Sequence, residues 1–453
     1  MGPYSRSLFI FRRDLRIEDN TALHAALTSS REVIACFILD PRQIKNNPYR
    51  GEPALAFMAR ALEGLAGVIR DRGGCLNILK GRPAAVLEQV CALQKIEAVF
   101  FNRDYTPFSV ARDLALEKAC QKLGVFCRSF DDALLCPPGS VMKASGGPYT
   151  VFTPFFRKAC SLQIPAVKSL SSWSFSKKCL DISVPLSLAS SEGGRGDAIR
   201  ILNDISRFRR YDYEHDLPAL EGTTRLSAHL KFGTVSVREV YHRVRKKLGR
   251  EHPIIRQLYW RDFFTHIAYH FPHVFGGAFY PEYDTIPWKG TEAMFKAWCE
   301  GRTGFPIVDA GMRELNATGF MHNRARMITA SFLVKDLHAD WRRGERYFAT
   351  RLRDYDPAVN NGNWQWVAST GCDHQPYFRV FNPRRQQERF DPDAVYIRRW
   401  VPELTGMSAE EIHGLSDGKT RVKGYPRPVI SHSDAVLWTR EVFREASRRG
   451  RQG

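Results

Sequence analysis

Short apolar runs alternate with amphipathic segments over the first 135 residues. Five runs have the length and composition of buried strands: SLFIF, VIACFIL, CLNIL, AVFFN and VFCRSF. The segments ALAFMARALEGLAGVIRDRG and RDLALEKACQKLG repeat apolar residues at helical spacing. This alternation predicts an α/β domain with a doubly wound parallel sheet, which binds ligands at the carboxyl ends of its strands. FRRDLRIEDN follows the first strand in place of a GxGxxG dinucleotide fingerprint.

The pattern changes after residue 135. Residues 136–200 are rich in Gly, Pro and Ser, which predicts a long interdomain connector with a short helix near TPFFRKACSL. Residues 201–445 show helical periodicity, with aromatic and charged residues interleaved, and residues 446–453 are short and basic. The predicted architecture is α/β + all-α: domain 1–135, connector 136–200, large helical domain 201–445 and a short basic tail 446–453.

Composition narrows the class of protein. The chain has 453 residues, a net charge of +19 and a pI near 9.6, which suits a polyanionic partner such as nucleic acid but equally suits an ordinary basic protein. Ten cysteines include no CxxC pair, and neither a secretory signal nor an apolar stretch of membrane-spanning length is evident. These features predict reduced, buried thiols in a cytoplasmic protein.

The stretch NNGNWQW, residues 360–366, concentrates amides and tryptophans. A core segment would use Leu and Val, and a surface loop would not carry two Trp, so the stretch indicates a site for a flat ligand with polar edges. Asp354 and Asp356 precede it, and buried carboxylates need a cationic or donor partner. Arg326 is a candidate partner for Asp354, although a single pair of this kind is more often an ordinary structural salt bridge.

Other candidates have two interpretations each. The hydroxyls of EGTTRLSAHLKFGT, residues 221–234, could meet a phosphate at a helix start, or merely cap the helix, which taken alone is the favoured interpretation. In MHNRARM, Met327 suits a core position, whereas Asn323 and Arg324 beside it do not. Asp262, His266 and His270 have the spacing of metal ligands, but a structural role is favoured because no third protein ligand is obvious after the two histidines. Five tryptophans in the helical region indicate stacking on flat rings, although packing accounts for some of them: Trp260, Trp288, Trp341, Trp364 and Trp366.

Several long motifs occur in one order along the chain. They are FRRDLRIEDNTAL, YTVFTPFFRK, EGTTRLSAHLKFGTVS, LYWRDFF, GRTGFPIVDAGMRELNATGFMHNRARMI, WRRGERYF, DYDPAVNNGNWQW and FNPRRQQERFDPDAVYIRRWVPEL. In this order the chain resembles the photolyase–cryptochrome family over nearly its whole length. The branch it resembles most is the class I cyclobutane pyrimidine dimer (CPD) DNA photolyases, archaeal-type members included.

The resemblance implies a bent FAD in the helical domain, catalytic in its reduced form. Residues at cofactor-binding positions are Tyr211, Thr223, Thr224, Leu226, Ser227, Arg261, Arg326, Asp354, Asp356 and Asn360. In the family, the residues at the positions of Arg326 and Asp354 pair beneath the flavin ring. Asn360 stands where the family faces flavin N5, and its neutral amide favours repair over signalling, since plant cryptochromes carry Asp there.

The resemblance also divides the tryptophans. Trp364, Trp341 and Trp288 stand at positions of the family's electron-transfer chain, whereas Trp260 and Trp366 stand where the family stacks on a flipped-out lesion. Asn323, Arg324 and Met327 take lesion-facing positions, the pattern of the branch that repairs dimers. Gln257 departs from the usual Glu three residues before the stacking Trp and is common in the (6-4)-repairing branch, so slower or altered repair is expected.

The implied activity is that of a carbon–carbon lyase that splits pyrimidine dimers in double-stranded, UV-damaged DNA by electron transfer from photoexcited, reduced FAD. Basic runs such as SRFRRY, RKKLGR and NPRRQQER would hold the DNA backbone, or are solvated helix faces. An antenna chromophore (a folate, a deazaflavin or a second flavin) would bind near DPRQIKNNPYRGEPALAF and NRDYTPF. We expect a monomer without a bound metal. The alternatives are a cryptochrome-like blue-light receptor and repair of the (6-4) photoproduct.

Overall fold

The computed structural model describes residues 2–45, 47–170, 172–184 and 193–450. By contacts, the chain forms two compact units, Met1–Arg207 with Thr224–Pro272 and Phe208–Thr223 with His273–Gly453. This division assigns 224–272 to the first unit, and the domain boundaries expected near 135 and 200 stay predictions. Part of the Ser- and Gly-rich stretch of the connector, residues 185–192, lies outside the described residues.

The first unit contains the predicted parallel sheet. Its strands are β1 Tyr4–Phe11, β2 Ser30–Leu39, β3 Leu76–Lys80, β4 Ala98–Asn102 and β5 Phe126–Phe130, in the order β3-β2-β1-β4-β5. All four pairings are parallel, and β1 lies in the middle with Phe9 opposite both Ala35 and Phe100. Because successive side chains point to opposite faces, Phe9 and Leu8 fill separate apolar clusters on the two sides of the sheet.

In the first unit, helices α1 to α5 alternate with the strands, and α6 and α7 come after the last strand along the chain. They are α1 Thr21–Ser29, α2 Pro41–Ile44, α3 Glu52–Asp71, α4 Pro83–Leu93, α5 Pro107–Lys122, α6 Phe152–Ala159 and α7 Arg195–Asn203. The short helix predicted near TPFFRKACSL is α6, which confirms that prediction.

A buried ion-pair network explains why 224–272 belongs to this unit. Here lie α9 Ser227–Phe232, α10 Val237–Leu248 and α11 Pro253–His270. From α10, Arg238 donates to Asp19 (2.9 Å) and to Asp132 (2.7 Å), and Arg16 donates to the other oxygen of Asp132 (2.5 Å). All four side chains are buried, so the charges require each other as partners.

The cysteines differ in part from the expectation of free thiols. Cys75, just before β3, and Cys179 in the connector form a disulfide with a Cα–Cα distance of 5.4 Å. The prediction of reduced cysteines is therefore wrong for this pair. The remaining cysteines are free, and Cys36, Cys120 and Cys136 among them are buried.

The second unit is helical. Its helices are α8 Tyr211–Glu214, α12 Glu292–Glu300, α13 Pro306–Thr318, α14 Asn323–Ser331, α15 Trp341–Arg351, α16 Pro357–Ala368, α17 Pro383–Phe390, α18 Val395–Trp400, α19 Ala409–Gly414 and α20 His432–Arg449. Short 3-10 turns cover Pro272–Phe275, Pro281–Thr285, Pro402–Leu404 and Leu415–Asp417. Ala446 is buried, so α20 continues as a packed helix into the stretch expected to be a tail. No helix in the described ranges has the length and apolarity needed to cross a bilayer.

A π-helical segment, Phe332–Asp336, joins α20 to the end of α16. Lys335, fully buried, donates through Nζ to Ala368 O and Ser369 Oγ at the end of α16, both at 3.1 Å. From α20, the ring of Phe443 lies 3.5 Å from Nζ, and Thr439 donates to Lys335 O (2.7 Å). Burial lowers the pKa of Lys335 well below its usual range.

Candidate functional site

The predicted pair of Arg326 and Asp354 is present in the second unit. Arg326 Nη2 lies 2.9 Å from Asp354 Oδ2, and Arg326 Nε donates to Met321 O at 2.8 Å. The Asp354 side chain is 3% exposed and that of Arg326 25%. The guanidinium is thus held in one orientation by a carboxylate and a carbonyl.

Asn360 is held by the neighbouring helix α15. Asp356 begins α16, since its Oδ1 accepts from the backbone N–H groups of Ala358 (3.1 Å) and Val359 (3.3 Å). One turn later, Asn360 Nδ2 donates to both Glu345 O and Glu345 Oε1, each at 3.1 Å. With its amide hydrogens used by Glu345, what Asn360 can offer a ligand is its carbonyl oxygen, an acceptor.

The other side-chain amides of NNGNWQW form hydrogen bonds with backbone groups. Asn361 Nδ2 donates to Val274 O (2.8 Å), and Gln365 Nε2 donates to Val274 O (3.1 Å) and Gly277 O (3.2 Å). Gln365 Oε1 accepts from Phe279 N (2.8 Å). Val274 lies in the short 3-10 turn Pro272–Phe275 and the residues after it lie outside helices and strands, so α16 supplies partners for these backbone groups. Asn363 Nδ2 donates to Val359 O (2.8 Å), so the stretch combines one amide that can offer its oxygen to a ligand with three that bond to backbone.

Helix α14 presents Asn323 and Met327 on one face, with Asn323 Nδ2 3.6 Å from the Met327 sulfur. Asn323 is exposed and Met327 half-buried. Arg324 is less free than its sequence position indicated: it is paired with Asp216 (2.6 Å), and its guanidinium lies 4.2 Å from the ring centroid of Phe390.

A buried histidine at the start of α14 was missed by the sequence analysis. His322 Nδ1 accepts from Arg324 N (3.2 Å), so the ring caps α14. Its backbone N–H donates to Glu314 Oε2 (3.1 Å), which also accepts from Tyr396 Oη (2.7 Å). Burial lowers the pKa of His322 to about 4, and Arg326 and Arg324 act in the same direction.

In the first unit, Trp260 of α11 is stacked on Phe152 of α6. Their ring centroids are 3.6 Å apart and their planes 7° from parallel. Phe152 is buried and Trp260 half-buried, whereas Gln257, one turn earlier, is exposed. Phe152 covers one face of the indole, and the rings of Phe263 and Phe264 lie 5.8 Å and 5.5 Å from it, centroid to centroid.

Arg261 follows Trp260, and its guanidinium donates hydrogen bonds to two backbone carbonyl groups. Nη1 donates to Ala133 O (2.6 Å) and Nη2 to Leu230 O (3.3 Å), so its expected cofactor role remains a prediction.

Asp262 accepts from Cys136 N (2.8 Å), and burial raises its pKa to about 7. The rings of His266 and His270 lie 4.5 Å apart, and burial together with His270 lowers the pKa of His266 to about 4. These contacts give the three residues structural partners.

The hydroxyl-rich segment before α9 does not cap that helix. Leu226 is the N-cap residue, Ser227 is the first helical residue, and no side chain caps α9. Thr224 Oγ1 instead accepts from Leu226 N (3.4 Å), and Arg225 adopts φ +52°. The capping interpretation is therefore wrong for this helix.

Thr223 and Tyr211 belong to the other compact unit. Tyr211 is buried and stacks on His215, with ring centroids 4.8 Å apart. Burial raises the pKa of the Tyr211 phenol to about 12, so it remains protonated.

The tryptophans of the second unit have different neighbours. The Trp364 ring lies 6.2 Å from Trp298 and 4.9 Å from Phe348, centroid to centroid. The Trp341 ring faces the guanidinium of Arg342 (4.9 Å), and Trp288 lies 6.2 Å from Phe443. Trp366 is half-buried at the edge of the core. Trp298, fully buried, was missed because KAWCEG reads as an ordinary amphipathic helix.

Arginines gather at the carboxyl ends of β1 and β2 in the first unit, and we call Arg12, Arg42 and Arg112 the arginine cluster. Arg12 follows β1 and is ion-paired with Asp113, whose Oδ1 also accepts from Arg112 Nε (3.0 Å). The guanidinium of Arg42 lies 4.8 Å from the Phe108 ring, which joins the two predicted antenna segments. Burial and the nearby Arg112 lower the pKa of Arg12 to about 10.

Comparisons with known proteins agree with these features. Two family models match, "DNA photolyase" over residues 7–170 and "FAD binding domain of DNA photolyase" over residues 254–445. The deoxyribodipyrimidine photo-lyase of Escherichia coli K12 is 38% identical in an alignment of 471 positions, which covers 97% of this chain and 98% of that protein.

Two solved structures share the fold. An archaeal photolyase from Sulfolobus tokodaii with two FAD molecules is 44% identical with a TM-score of 0.89, over 97% of this chain and 100% of that one. The cryptochrome of Synechocystis sp. PCC6803 is 27% identical with a TM-score of 0.86, over 98% and 99% of the two chains. With FAD-binding and photolyase sequence in the expected order and relatives matched from end to end, this chain belongs to the DNA photolyase family.

Proposed function

We propose that this protein is a light-dependent DNA repair enzyme that splits cyclobutane pyrimidine dimers by electron transfer from photoexcited, reduced FAD. The observation that carries the proposal is the end-to-end match to deoxyribodipyrimidine photo-lyases, joined to a fixed acceptor and ion pair in the FAD-binding region. Its partner is double-stranded DNA that contains the dimer, and it acts as a monomer in the cytoplasm.

The residues present suit a flavin nucleotide. Asn360 offers an acceptor fixed by Glu345, which suits the N5–H of a reduced flavin, and Arg326 offers a cation already balanced by Asp354. The hydroxyls of Thr223, Thr224 and Ser227, with the N–H groups at the uncapped start of α9, suit a pyrophosphate. The remaining cofactor positions are Tyr211, Leu226, Arg261 and Asp356.

Reduced FAD, held by residues such as Asn360 and Arg326, would supply light-driven electron donation to the dimer. The chain's own task is geometry and charge. Trp260, braced by Phe152, and Trp366 stack on the flipped-out pyrimidines, which is cheapest where base stacking is already damaged. Asn323, Arg324 and Met327 face the lesion, and Arg324 is pre-positioned there by Asp216. Trp364, Trp341 and Trp288 carry electrons inward to reduce the cofactor.

Charge holds the DNA without reading its sequence. With a net charge of +19, basic side chains meet backbone phosphates, so affinity falls as salt rises. In the basic run Pro383–Phe390, Arg384 is already paired with Glu388 and Asp417, whereas Arg385 is exposed. Arg385 is therefore the better phosphate contact of the two.

An antenna binds at the arginine cluster of the first unit, and a second flavin nucleotide suits it best. Arg12 Nη2 and Arg112 Nη2 are buried with no hydrogen-bond partner in the described parts of the chain, which is costly unless an anion meets them. The solved relative with two FAD molecules favours a flavin over a folate or a deazaflavin. Release of the chromophores by denaturation, followed by chromatography, would detect a flavin in excess over the catalytic one.

The deciding experiment is a repair assay on two oligonucleotides. The cofactor is reduced chemically, and the protein is illuminated with blue light on DNA that bears either a cyclobutane thymine dimer or a (6-4) product, with dark samples as controls. Restoration of the dimer alone supports the proposal. Restoration of the (6-4) product alone would mean that Gln257 determines which lesion the protein repairs. Repair of neither substrate by a photoreducible protein would indicate a cryptochrome-like receptor.

A further inference from the structure

We propose that Cys120 and Cys127 form an oxidant-responsive dithiol in the first unit. Hydrogen peroxide oxidises Cys127 first, and Cys120 then closes a disulfide with it. The step needs neither light nor flavin, so it is a property of the chain that stands apart from the proposed function.

The backbone brings the two cysteines together. Cys120 lies in the last turn of α5, and Cys127 is the second residue of β5. Between them, Gly124 adopts φ +66°, and Val125 N donates to Cys120 O (2.9 Å), so the chain reverses its direction directly after the helix. Because this turn is short, the end of the helix packs against the start of the strand that follows it.

Both thiols lie on the same side of the sheet. Cys127 is opposite Val99 of β4, and Val99 and Cys120 belong to one apolar cluster, against which Cys127 packs. There, the Cys120 thiol donates a hydrogen bond to the Cys127 sulfur. Two thiols in hydrogen-bond contact need little movement to form a bond between their sulfurs.

The Cys127 thiol is the more acidic of the two. The hydrogen bond from Cys120 lowers the pKa of Cys127, and the Arg12 guanidinium acts in the same direction, against burial and the nearby carboxylates of Glu117 and Asp113. The same hydrogen bond, together with burial, raises the pKa of Cys120 well above its usual range. Since the thiolate is the nucleophile, Cys127 is the thiol that attacks the oxidant.

Exposure favours the same order of reaction. Cys127 is half-buried on the edge strand of the sheet, whereas Cys120 is fully buried. A small oxidant reaches the first sulfur, while the second is shielded from solvent. The pair therefore combines an accessible, peroxide-reactive thiol with a resolving thiol behind it.

A third thiol lies nearby and is the natural competitor. Cys91 of α4 is half-buried, packs against the same apolar cluster and interacts electrostatically with Cys120. Burial raises the pKa of Cys91, which makes it a poorer nucleophile. Cys120 is the resolving thiol because its S–H group already points at the Cys127 sulfur.

Atoms and electrons balance in two steps. The Cys127 thiolate attacks one oxygen of hydrogen peroxide, the O–O bond breaks, and the sulfur becomes a sulfenic acid while the departing hydroxide takes up the thiol proton to form water. The Cys120 sulfur then attacks the sulfenic sulfur, the S–O bond breaks, and a second water leaves with the Cys120 proton. Peroxide is thus reduced by the two electrons that the thiol pair loses, and a dithiol reductant restores the pair by exchange.

The test maps the disulfide in full-length, flavin-loaded protein kept in the dark. The protein is reduced with a dithiol, freed of reductant, treated with hydrogen peroxide, alkylated and digested with trypsin, which cleaves after Lys122 and so separates the two cysteines. We expect two alkylated peptides before peroxide, and afterwards a crosslinked Cys120–Cys127 pair that is lighter by two hydrogen atoms. Cys299, a half-buried free thiol of the second unit whose charged neighbours are arginines and glutamates, should stay alkylated at the same dose.

Cys120→Ser keeps a hydroxyl donor beside Cys127 but cannot form the disulfide. Peroxide should then stop at the sulfenic acid of Cys127, which dimedone labels, whereas the native chain should keep no such label. Absence of the native crosslink overturns the proposal, whether Cys127 stays unreacted, is oxidised further or joins Cys91 instead. Should Cys120→Ser not fold, the crosslink in the native chain decides by itself.

Discussion

The stack of Phe152 on Trp260 leads to a prediction that separates packing from lesion recognition. Phe152→Leu keeps an apolar side chain behind the indole but removes the parallel ring 3.6 Å away. Aromatic pairs contribute about 0.5–1.5 kcal/mol beyond the area they bury. If that energy holds Trp260 in its binding orientation, its loss weakens binding of dimer-containing DNA by about two- to tenfold.

Phe155→Leu is the matched control. Phe155 is equally buried on the same helix, but it contacts Phe263 and His266 instead of Trp260. Both variants should lose similar unfolding free energy, on the order of 1–2 kcal/mol for a smaller core side chain. The assay measures binding in the dark to an oligonucleotide with a thymine dimer and to its undamaged counterpart, alongside thermal unfolding.

Only Phe152→Leu should lose preference for the damaged oligonucleotide. An equal loss in both variants would mean that the stack matters only through stability. Unchanged preference in Phe152→Leu, with both proteins folded, would refute the bracing of Trp260.

Three further predictions follow from the same contacts. Gln257→Glu should raise the repair yield per absorbed photon if that side chain limits lesion chemistry, and an unchanged yield would reject this explanation of Gln257. His322→Asn keeps an acceptor at the start of α14 but cannot titrate. Burial lowers the pKa of His322 from 6.5 to about 4 in the folded protein. The native protein therefore has a contribution to its unfolding free energy, about 3 kcal/mol in all, that is present above pH 6.5 and is lost as the pH falls toward 4. The variant should flatten that part of the unfolding profile measured against pH, and identical profiles would contradict the assignment. Cys179→Ser should lower the melting temperature and abolish the effect of thiol reductant on it, since a crosslink across 104 residues stabilises the folded chain by about 4–5 kcal/mol in the chain-entropy account. Cys160→Ser, at an exposed free cysteine, should change neither the melting temperature nor its response to reductant.

Features set by local pattern were predictable from the sequence. The central strands β1, β2 and β4 contain continuous apolar runs, as a sheet covered on both faces requires, whereas the edge strand β5 carries Arg128 and has no buried residue. The pairing of Arg326 with Asp354 followed from the cost of burying a carboxylate alone, although the sequence separates them by 28 residues.

Features set by distant contacts were not predictable. The partner of Asn361 is a backbone carbonyl 87 residues away, so nothing near NNGNWQW distinguishes it from Asn360. Trp298 has the spacing of a core residue and is fully buried, in contact with Trp364, which lies 66 residues further along the chain. Cys75 and Cys179 lie far apart in sequence and in no recognised motif, and Arg12 and Arg112 meet only because the sheet brings their segments together.

The contacts of Lys335 have a consequence for the order in which this chain can mature during synthesis. The end of α16, the helix that presents Asn360, is tied to Lys335, and Lys335 is covered by Phe443 and Thr439 of α20. A nascent chain that has emerged only as far as α19 would carry a lysine that is uncovered on that side and therefore hydrated. The helix that presents Asn360 is thus completed by residues of α20, which are synthesised after it, so stalling or proteolysis before residue 432 should leave a chain with its parallel sheet formed and the end of α16 unfinished.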